Sequence, residues 1–181
     1  RAMEQWKKKV DALPGVERSA FSSIRRLRGS GYKMTVVPEG ESAQPAQFMN
    51  TSTLPVGEGY LEANGIPLIA GRQVTRAERY GNAKLKPVLV NETFARQYGG
   101  PQAVLGRRFG AGRAAGQPAE GTMLVVGVTA DVVYRSMRDY QAPVIYGTLG
   151  SNWNPITLTI RTQLPAAALA ASLRDTLREV D

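Results

Sequence analysis

One stretch of thirteen residues, Tyr60 to Arg72 (YLEANGIPLIAGR), limits what this chain can fold into more than any other. Tyr60, Leu61 and Ala63 suit the end of a short helix that must stop at Asn64-Gly65. Glycine reaches the left-handed conformation that closes a helix C-terminus, and Pro67 keeps the helix from resuming. The apolar residues Ile66, Leu68 and Ile69 then call for burial, and Gly71-Arg72 turns the chain into a new segment. Read alone, the stretch describes a helix-to-core junction, so its meaning depends on the pattern around it.

Residues 1–13 form an amphipathic helical pattern, with Met3, Trp6, Val10 and Leu13 on one stripe and Lys7, Lys8 and Lys9 opposite. Pro14-Gly15 ends it. Val16 to Arg28 reads as a strand, Gly29-Ser30-Gly31 as a tight turn and Tyr32 to Val37 as a second strand, together a hairpin. Pro38 to Pro45 is a polar loop, and Phe48 to Val56 a third strand. Beyond Arg72, Gln73 to Lys86 is a charged loop. Pro87 to Val90 is a short apolar strand, and Asn91 is a good N-cap for a helix that carries Phe94, Ala95 and Tyr98 on one face. Gly99-Gly100-Pro101 stops that helix. Val104 to Phe109 feeds a strand, Gly110 to Gly121 is a hairpin loop, and Met123 to Thr129 is an apolar, central strand. Asp131 to Arg138 is polar and irregular. Pro143 to Thr148 and Ile156 to Thr162 are strands. Pro165 suits the first turn of a last helix with its stripe at Ala166, Leu169, Ala170, Leu173, Leu177 and Val180. This mixed order with hairpins predicts an α+β fold rather than a doubly wound parallel sheet. The helices at the two chain ends are expected to lie together on one sheet, with residues 1 and 181 close.

Composition removes several chemistries. The 181 residues contain neither cysteine nor histidine, so disulfides, thiol catalysis and a Ser-His-Asp triad are excluded. No Walker A sequence is present. Gly110 to Gly116 has Gly-x-Gly-x-x-x-Gly spacing without the strand-then-helix frame of a dinucleotide loop. Asp131 and Asp139 are candidate acids, but a lone loop carboxylate usually caps or faces solvent. Asn50-Thr51-Ser52 and Asn91-Glu92-Thr93 match glycosylation acceptors, and a strand and a helix cap explain them better. The net charge of +8, clustered at Lys7 to Lys9, Arg25, Arg26 and Arg28, and Arg107-Arg108, suits nucleic acid, an anionic membrane surface or an acidic partner. No stretch approaches the roughly 20 apolar residues of a membrane helix. The chain begins inside a helical pattern and ends without a cap, so we expect a soluble piece of a longer protein.

Four blocks occur in a fixed order: Tyr60…Gly65-Ile66-Pro67-Leu68…Gly71-Arg72, then Val88 to Ala95, then Leu105 to Arg108, then Val125 to Val128 with Asp131-Val132. Leu13 to Val16 and Ile160 to Thr162 fit beside them. Together they resemble the MacB-like periplasmic core domain of FtsX/MacB-type ABC transporter permeases, over nearly the whole chain. The resemblance implies a porter-like subdomain from residues 1–70 and 156–181, with a smaller α+β subdomain, 71–155, inserted in it. It implies a domain outside the bacterial inner membrane, between two membrane helices of its permease. Cytoplasmic ATP hydrolysis would be coupled to substrate handling or partner signalling by mechanotransmission, as in efflux. The implied partners are those membrane helices, a cytoplasmic ABC ATPase, a dimerising permease copy and a periplasmic protein, not nucleic acid. The matched residues Tyr60, Gly65, Pro67, Leu68, Gly71, Arg72, Asn91, Glu92, Ala95, Leu105, Gly106, Gly127, Val128, Asp131 and Arg161 are structural. The resemblance brings no catalytic residue, cofactor or metal. The alternatives are a freestanding basic module that binds nucleic acid and a hydrolase.

Overall fold

The computed structural model describes residues 2–24, 32–43, 51–112, 117–132, 142–150 and 156–178. Sixteen elements follow one another in those segments: α1 (Ala2–Asp11), β1 (Val16–Ser22), β2 (Tyr32–Met34), β3 (Val36–Pro38), β4 (Thr51–Val56), α2 (Tyr60–Ala63), β5 (Leu68–Gly71), α3 (Arg76–Tyr80), β6 (Lys86–Asn91), α4 (Glu92–Arg96), α5 (Pro101–Val104), β7 (Arg108–Ala111), β8 (Met123–Thr129), β9 (Val144–Thr148), β10 (Thr157–Thr162) and α6 (Ala166–Arg178). The fold is α+β, with helices packed around one mixed sheet.

The strands run in the order β10-β1-β4-β9-β6-β8-β7-β3, with β2 also on β4 and β5 on β8. The parallel pairs are β4 with β9 and β6 with β8. β2 and β3 are separated only by Thr35, yet β2 bonds to β4 and β3 to β7. They therefore join the two ends of the series β4-β9-β6-β8-β7 and close it into a ring. This corrects the expected hairpin of β1 with residues 32–37: β1 bonds to β10 and, at Ser22, to β4. The expected single strand is split because its halves serve opposite sides of the ring.

Each face of the ring builds its own core. Val36, Val88, Val90, Phe109, Val125 and Ile145 turn into one cluster, closed by Phe94, Ala95 and Val104 of α4 and α5. Each fully buried large side chain there is worth about 1.5–3 kcal/mol against exposure. Phe94, Tyr98 and Phe109 pack with centroids 4.8 to 5.2 Å apart, and Arg107 lies over Tyr98 and Phe109. The other face pairs Ala20, Leu54, Val56, Leu89, Val144 and Tyr146 with Tyr60, Leu61, Ala63 and Ile66 of and after α2. Strands buried on both faces read as continuous apolar runs, which is why β6 and β8 are legible in the sequence. β8 also carries an irregularity. Val88 faces Val125 and Leu89 faces Gly127, so Val126 is bulged out and Val125 and Val128 reach the same core.

Several local expectations hold, and three need correction. α2 ends at Ala63 with Asn64 as its C-cap, and Gly65 has φ 62°. Gln73 to Lys86 is not a plain loop, because Arg76–Tyr80 is helical. Thr75 and Glu78 form a capping box at its start. Pro101–Val104 is a further short helix where Gly99-Gly100-Pro101 is expected only to stop α4, with proline in its first turn. Ile69 is 43% exposed, because among the described strands β5 pairs only with β8 and turns alternate residues outward. At the chain ends α1 lies against β1 and touches α6, with Val10 and Leu169 buried. Residues 1 and 181, the turn at 29–31, Asn50, Asp139 and residues 113–116 of the glycine-rich loop lie outside the described residues.

Candidate functional site

The strands β6, β8 and β9 have two very different ends. At one, Asn91 finishes β6 and caps α4: its Oδ1 accepts from Phe94 N at 3.1 Å. The same oxygen accepts from Val144 N at 2.8 Å, at the start of β9. Its Nδ2 donates to Asp131 Oδ1 at 2.7 Å and to Ala142 O at 2.9 Å. Asp131, just past β8, also accepts from Thr93 N (2.9 Å), Thr93 Oγ1 (2.8 Å) and Arg96 (2.7 Å). Its side chain is 8% exposed. Both carboxylate oxygens are taken up by these four bonds, which tie the loop after β8 to the start of α4. Asp131 therefore has no free edge for acid–base work. Asn91, 2% exposed with both ends bonded, is closed to glycosylation in the folded chain.

The remaining matched residues support backbone turns and close approaches. Gly71 has φ 71°, and a Cβ there would lie 2.3 Å from Val126 O and 2.7 Å from Leu105 Cδ2. A Cβ on Gly127 would lie 2.3 Å from Arg72 O. These two glycines let β5 and the Arg72 backbone close on the β8 bulge, where Arg72 N donates to Val126 O at 2.9 Å. Gly106 takes φ 77° in the turn before β7, and Val128 and Ala95 are wholly buried. Tyr60 is buried 6.2 Å from the Tyr146 ring. Leu68 packs against the second core, and Pro67 is exposed while its carbonyl accepts from Ala130 N. Glu92 sits 3.9 Å from Arg96. Arg161 on β10 pairs with Glu17 at 3.2 Å and donates to Glu62 O, beside Gly65. The structure gathers Asn91, Glu92, Ala95 and Asp131 at one strand end, and Gly71, Arg72, Leu105, Gly106, Gly127 and Val128 around the bulge. Arg161, Gly65 and Pro67 line a shallow depression apart from both.

The opposite end of the same strands is open. A cleft of about 550 Å³ runs between α1, α3, Phe21, Gly57-Glu58 and Leu149-Gly150. A groove of about 350 Å³ adjoins it over Thr53, Pro55, Val88, Met123, Ile145 and Gly147. Arg79 of α3 borders both. α3 is fixed there by its capping box and by Arg72, whose two terminal nitrogens reach Glu78 at 2.8 and 2.6 Å. That fork and the cap hold the Glu78 carboxyl down at about 2. Arg76 bonds Glu4 of α1 and Glu58, and Lys7 pairs with Asp11, so the acids of the cleft are neutralised. Arg79 differs. It donates through Nη1 to Val56 O at 2.6 Å, makes no ion pair among the described residues, and its buried Nε finds no acceptor there. Burial pushes its pKa below the usual arginine value. An unmet buried donor costs about 1–3 kcal/mol. Thr148 Oγ1 is likewise buried without a partner among the described residues.

This end is hidden in the sequence because Gln73 to Lys86 reads by composition as a charged loop. Thr75-Arg76-Ala77-Glu78 carries the Thr-x-x-Glu signal of a helix start, and following it would have placed Arg79 on a helix. Among the described residues no group of three or more acidic side chains is arranged to hold a metal ion. No described helix is long and apolar enough to cross a membrane. The basic clusters are split among elements: Lys7 to Lys9 on α1, Arg107-Arg108 before and in β7, and Arg25, Arg26 and Arg28 outside the described residues.

No protein-family model matches the sequence, and no curated protein matches it. Solved structures do. The periplasmic region of MacB from Actinobacillus actinomycetemcomitans superimposes with a TM-score of 0.60 at 14% identity, over 98% of this chain and 73% of that one. The extracellular domain of YknZ, an ABC-type transporter of Gram-positive bacteria, gives 0.57 at 17% identity, over 98% and 81%. A domain of a protein described as a permease from Porphyromonas gingivalis gives 0.58 at 20% identity, over 97% and 69%. The chain has the fold of the MacB periplasmic domain.

Proposed function

We propose that this chain is the extracytoplasmic domain of an ABC transporter permease of the MacB/FtsX type. The observation that carries the reading is the likeness over 97–98% of its length to domains of that kind, two of them named as parts of transporters. The four sequence blocks add to it, since each falls on a turn or a close approach that this fold needs.

In this reading the domain stands outside the membrane and is driven from its two ends. A cytoplasmic ABC ATPase moves the membrane helices of the permease, α1 and α6 follow, and the sheet carries the motion to a substrate or a partner protein. Such a transmitter must be stiff. The closed ring and the Asn91–Asp131 knot supply stiffness, and Arg76, bonded to Glu4 and Glu58, ties α3 to α1. Residues 1–70 with 156–181 would form the porter-like subdomain and 71–155 the inserted one. A second permease copy and a periplasmic protein are the expected partners, and the protein itself catalyses nothing.

The reading frame around these residues tests this directly. It should encode apolar segments of about 20 residues on both sides of the domain. Flanks without them would overturn the reading. In the intact permease, Glu4→Ala with Arg76→Ala, which cuts this tie, should lower transport relative to ATP hydrolysis, and cysteines at the two positions joined by a bismaleimide should restore it. Undiminished transport without the tie would remove α1 and α3 from the path of motion.

A further inference from the structure

The open end of the ring has the chemistry of a ligand site. The groove floor is apolar, from Pro55, Val88, Met123 and Ile145. Its charged lining among the described residues is cationic: Arg79 at one border and Lys86 at another, with no acid. Lys86 Nζ donates only to Gly81 O among the described residues, at 3.1 Å. Arg79 keeps Nη1 on Val56 O, which leaves the Nε/Nη2 edge of the guanidinium without an acceptor there. That edge presents two N–H groups side by side, the spacing that two oxygens of an oxyanion match. Thr148 Oγ1, also unmet among the described residues, lies in the same lining. Among the described residues, a Cβ at Gly147 would meet nothing within 4 Å, so none of them fills the space above the strand there. Concave sites lined mainly by apolar groups, with a few polar groups at one side, are the usual form of small-molecule pockets, and barrel mouths are a common place for them.

We infer that this groove binds a single-chain amphiphile with a compact oxyanion head. The head sits on the free edge of Arg79 with Lys86 beside it, and the alkyl chain lies along Pro55, Val88, Met123 and Ile145. The acids of the neighbouring cleft do not oppose it, because Glu4, Glu58 and Asp11 are each held by a cation. The inference does not rest on the transport reading. Binding is a property of the domain itself, whatever flanks it, so either can fail alone.

The test is calorimetric titration of the 181-residue chain with decanoate and with decyl phosphate, both below their micelle range. Acetate, inorganic phosphate and decyltrimethylammonium serve as comparisons. Saturable one-to-one binding of either alkyl anion is expected, at least tenfold tighter than the head alone or the alkyl cation. Which of the two binds tighter separates a fatty carboxylate from a phosphate-headed lipid. Arg79→Gln should weaken binding at least tenfold and Lys86→Gln about threefold. Gly147→Leu should abolish it by filling the groove, with an unchanged melting temperature that keeps the test valid if an Arg79 variant misfolds. Binding unaffected by Arg79→Gln and Gly147→Leu, equal binding of the alkyl cation, or no saturable binding of either anion would each overturn the inference.

Discussion

The two ends of β6, β8 and β9 handle buried polar groups in opposite ways. At the Asn91 end, the side-chain polar groups of Asn91, Thr93 and Asp131 have partners, and one asparagine joins a strand, a helix, a second strand and a loop. At the Arg79 end, Arg79 Nε and Thr148 Oγ1 lie buried without partners among the described residues. The same strands with the same apolar core separate the two, so hydrophobic burial does not account for the contrast. A saturated polar knot specifies one geometry and contributes stability. An unsaturated pocket costs stability, and proteins generally retain such sites where something binds.

The largest expected effect is at Asn91. A helix cap alone is worth about 0.5–2 kcal/mol. Here Asn91→Ala also orphans Val144 N and the Ala142 carbonyl and removes one donor from Asp131, so we expect a loss of about 3 kcal/mol in denaturant unfolding. A loss below 1 kcal/mol would mean that the knot is not what holds this end. Asp131→Asn comes next. Its amide turns a donor toward a site built of donors and drops the charge that Arg96 meets, and it should cost about 2 kcal/mol. An unchanged midpoint would break the contrast from the other side.

Much of the saturated end was legible because its cap is local. Asn91-Glu92-Thr93-Phe94 follows an apolar run, and N-cap chemistry needs only the next three residues. Its other partners lie at Asp131, Ala142 and Val144, forty residues or more along the chain, and no local pattern announces them. Gly65 was readable for the same reason, whereas Gly71 and Gly127 owe their role to each other across two strands. Among the described residues a Cβ at Gly65 meets only the end of Arg161, at 3.3 Å, so Gly65→Ala should cost about 1 kcal/mol through its positive φ alone. A stability change near zero would place that cost elsewhere. The ring closure was illegible because it depends on which distant strands Tyr32–Met34 and Val36–Pro38 bond. The open end has one local signal, the capping box of α3, and its pocket exists only once α3 is folded onto the strand ends.

A smaller effect tests how α3 is held at the open end. Glu78 falls from an ordinary 4.5 to about 2, chiefly through Arg72. A lowered carboxyl pKa gives stability that is present above about pH 4.5 and is lost as pH falls toward 2. The pair is partly exposed, at 31% for Glu78 and 51% for Arg72, so screening reduces the effect to about 0.5 kcal/mol. Glu78→Gln should therefore flatten stability between pH 4.5 and 2 by that amount. An identical slope in wild type and variant would show that α3 is held by the Thr75 cap and by packing.

The smallest effect discriminates best. Arg79→Met keeps a long side chain over the groove while removing the guanidinium. It gives up the bond to Val56 O, which leaves one carbonyl short of a partner and costs about 1 kcal/mol. It also removes the buried, unmet Nε–H and the desolvation of a charge whose pKa burial has already lowered, a gain of similar size. The two cancel, so thermal and denaturant unfolding of Arg79→Met should agree with wild type within about 1 kcal/mol, in contrast to the roughly 3 kcal/mol at Asn91. A variant more stable than wild type would sharpen the contrast, since the arginine would then be retained against its own cost. A loss as large as that of Asn91→Ala would collapse it, and would make Arg79 a strut of the fold like the asparagine at the other end of the strands.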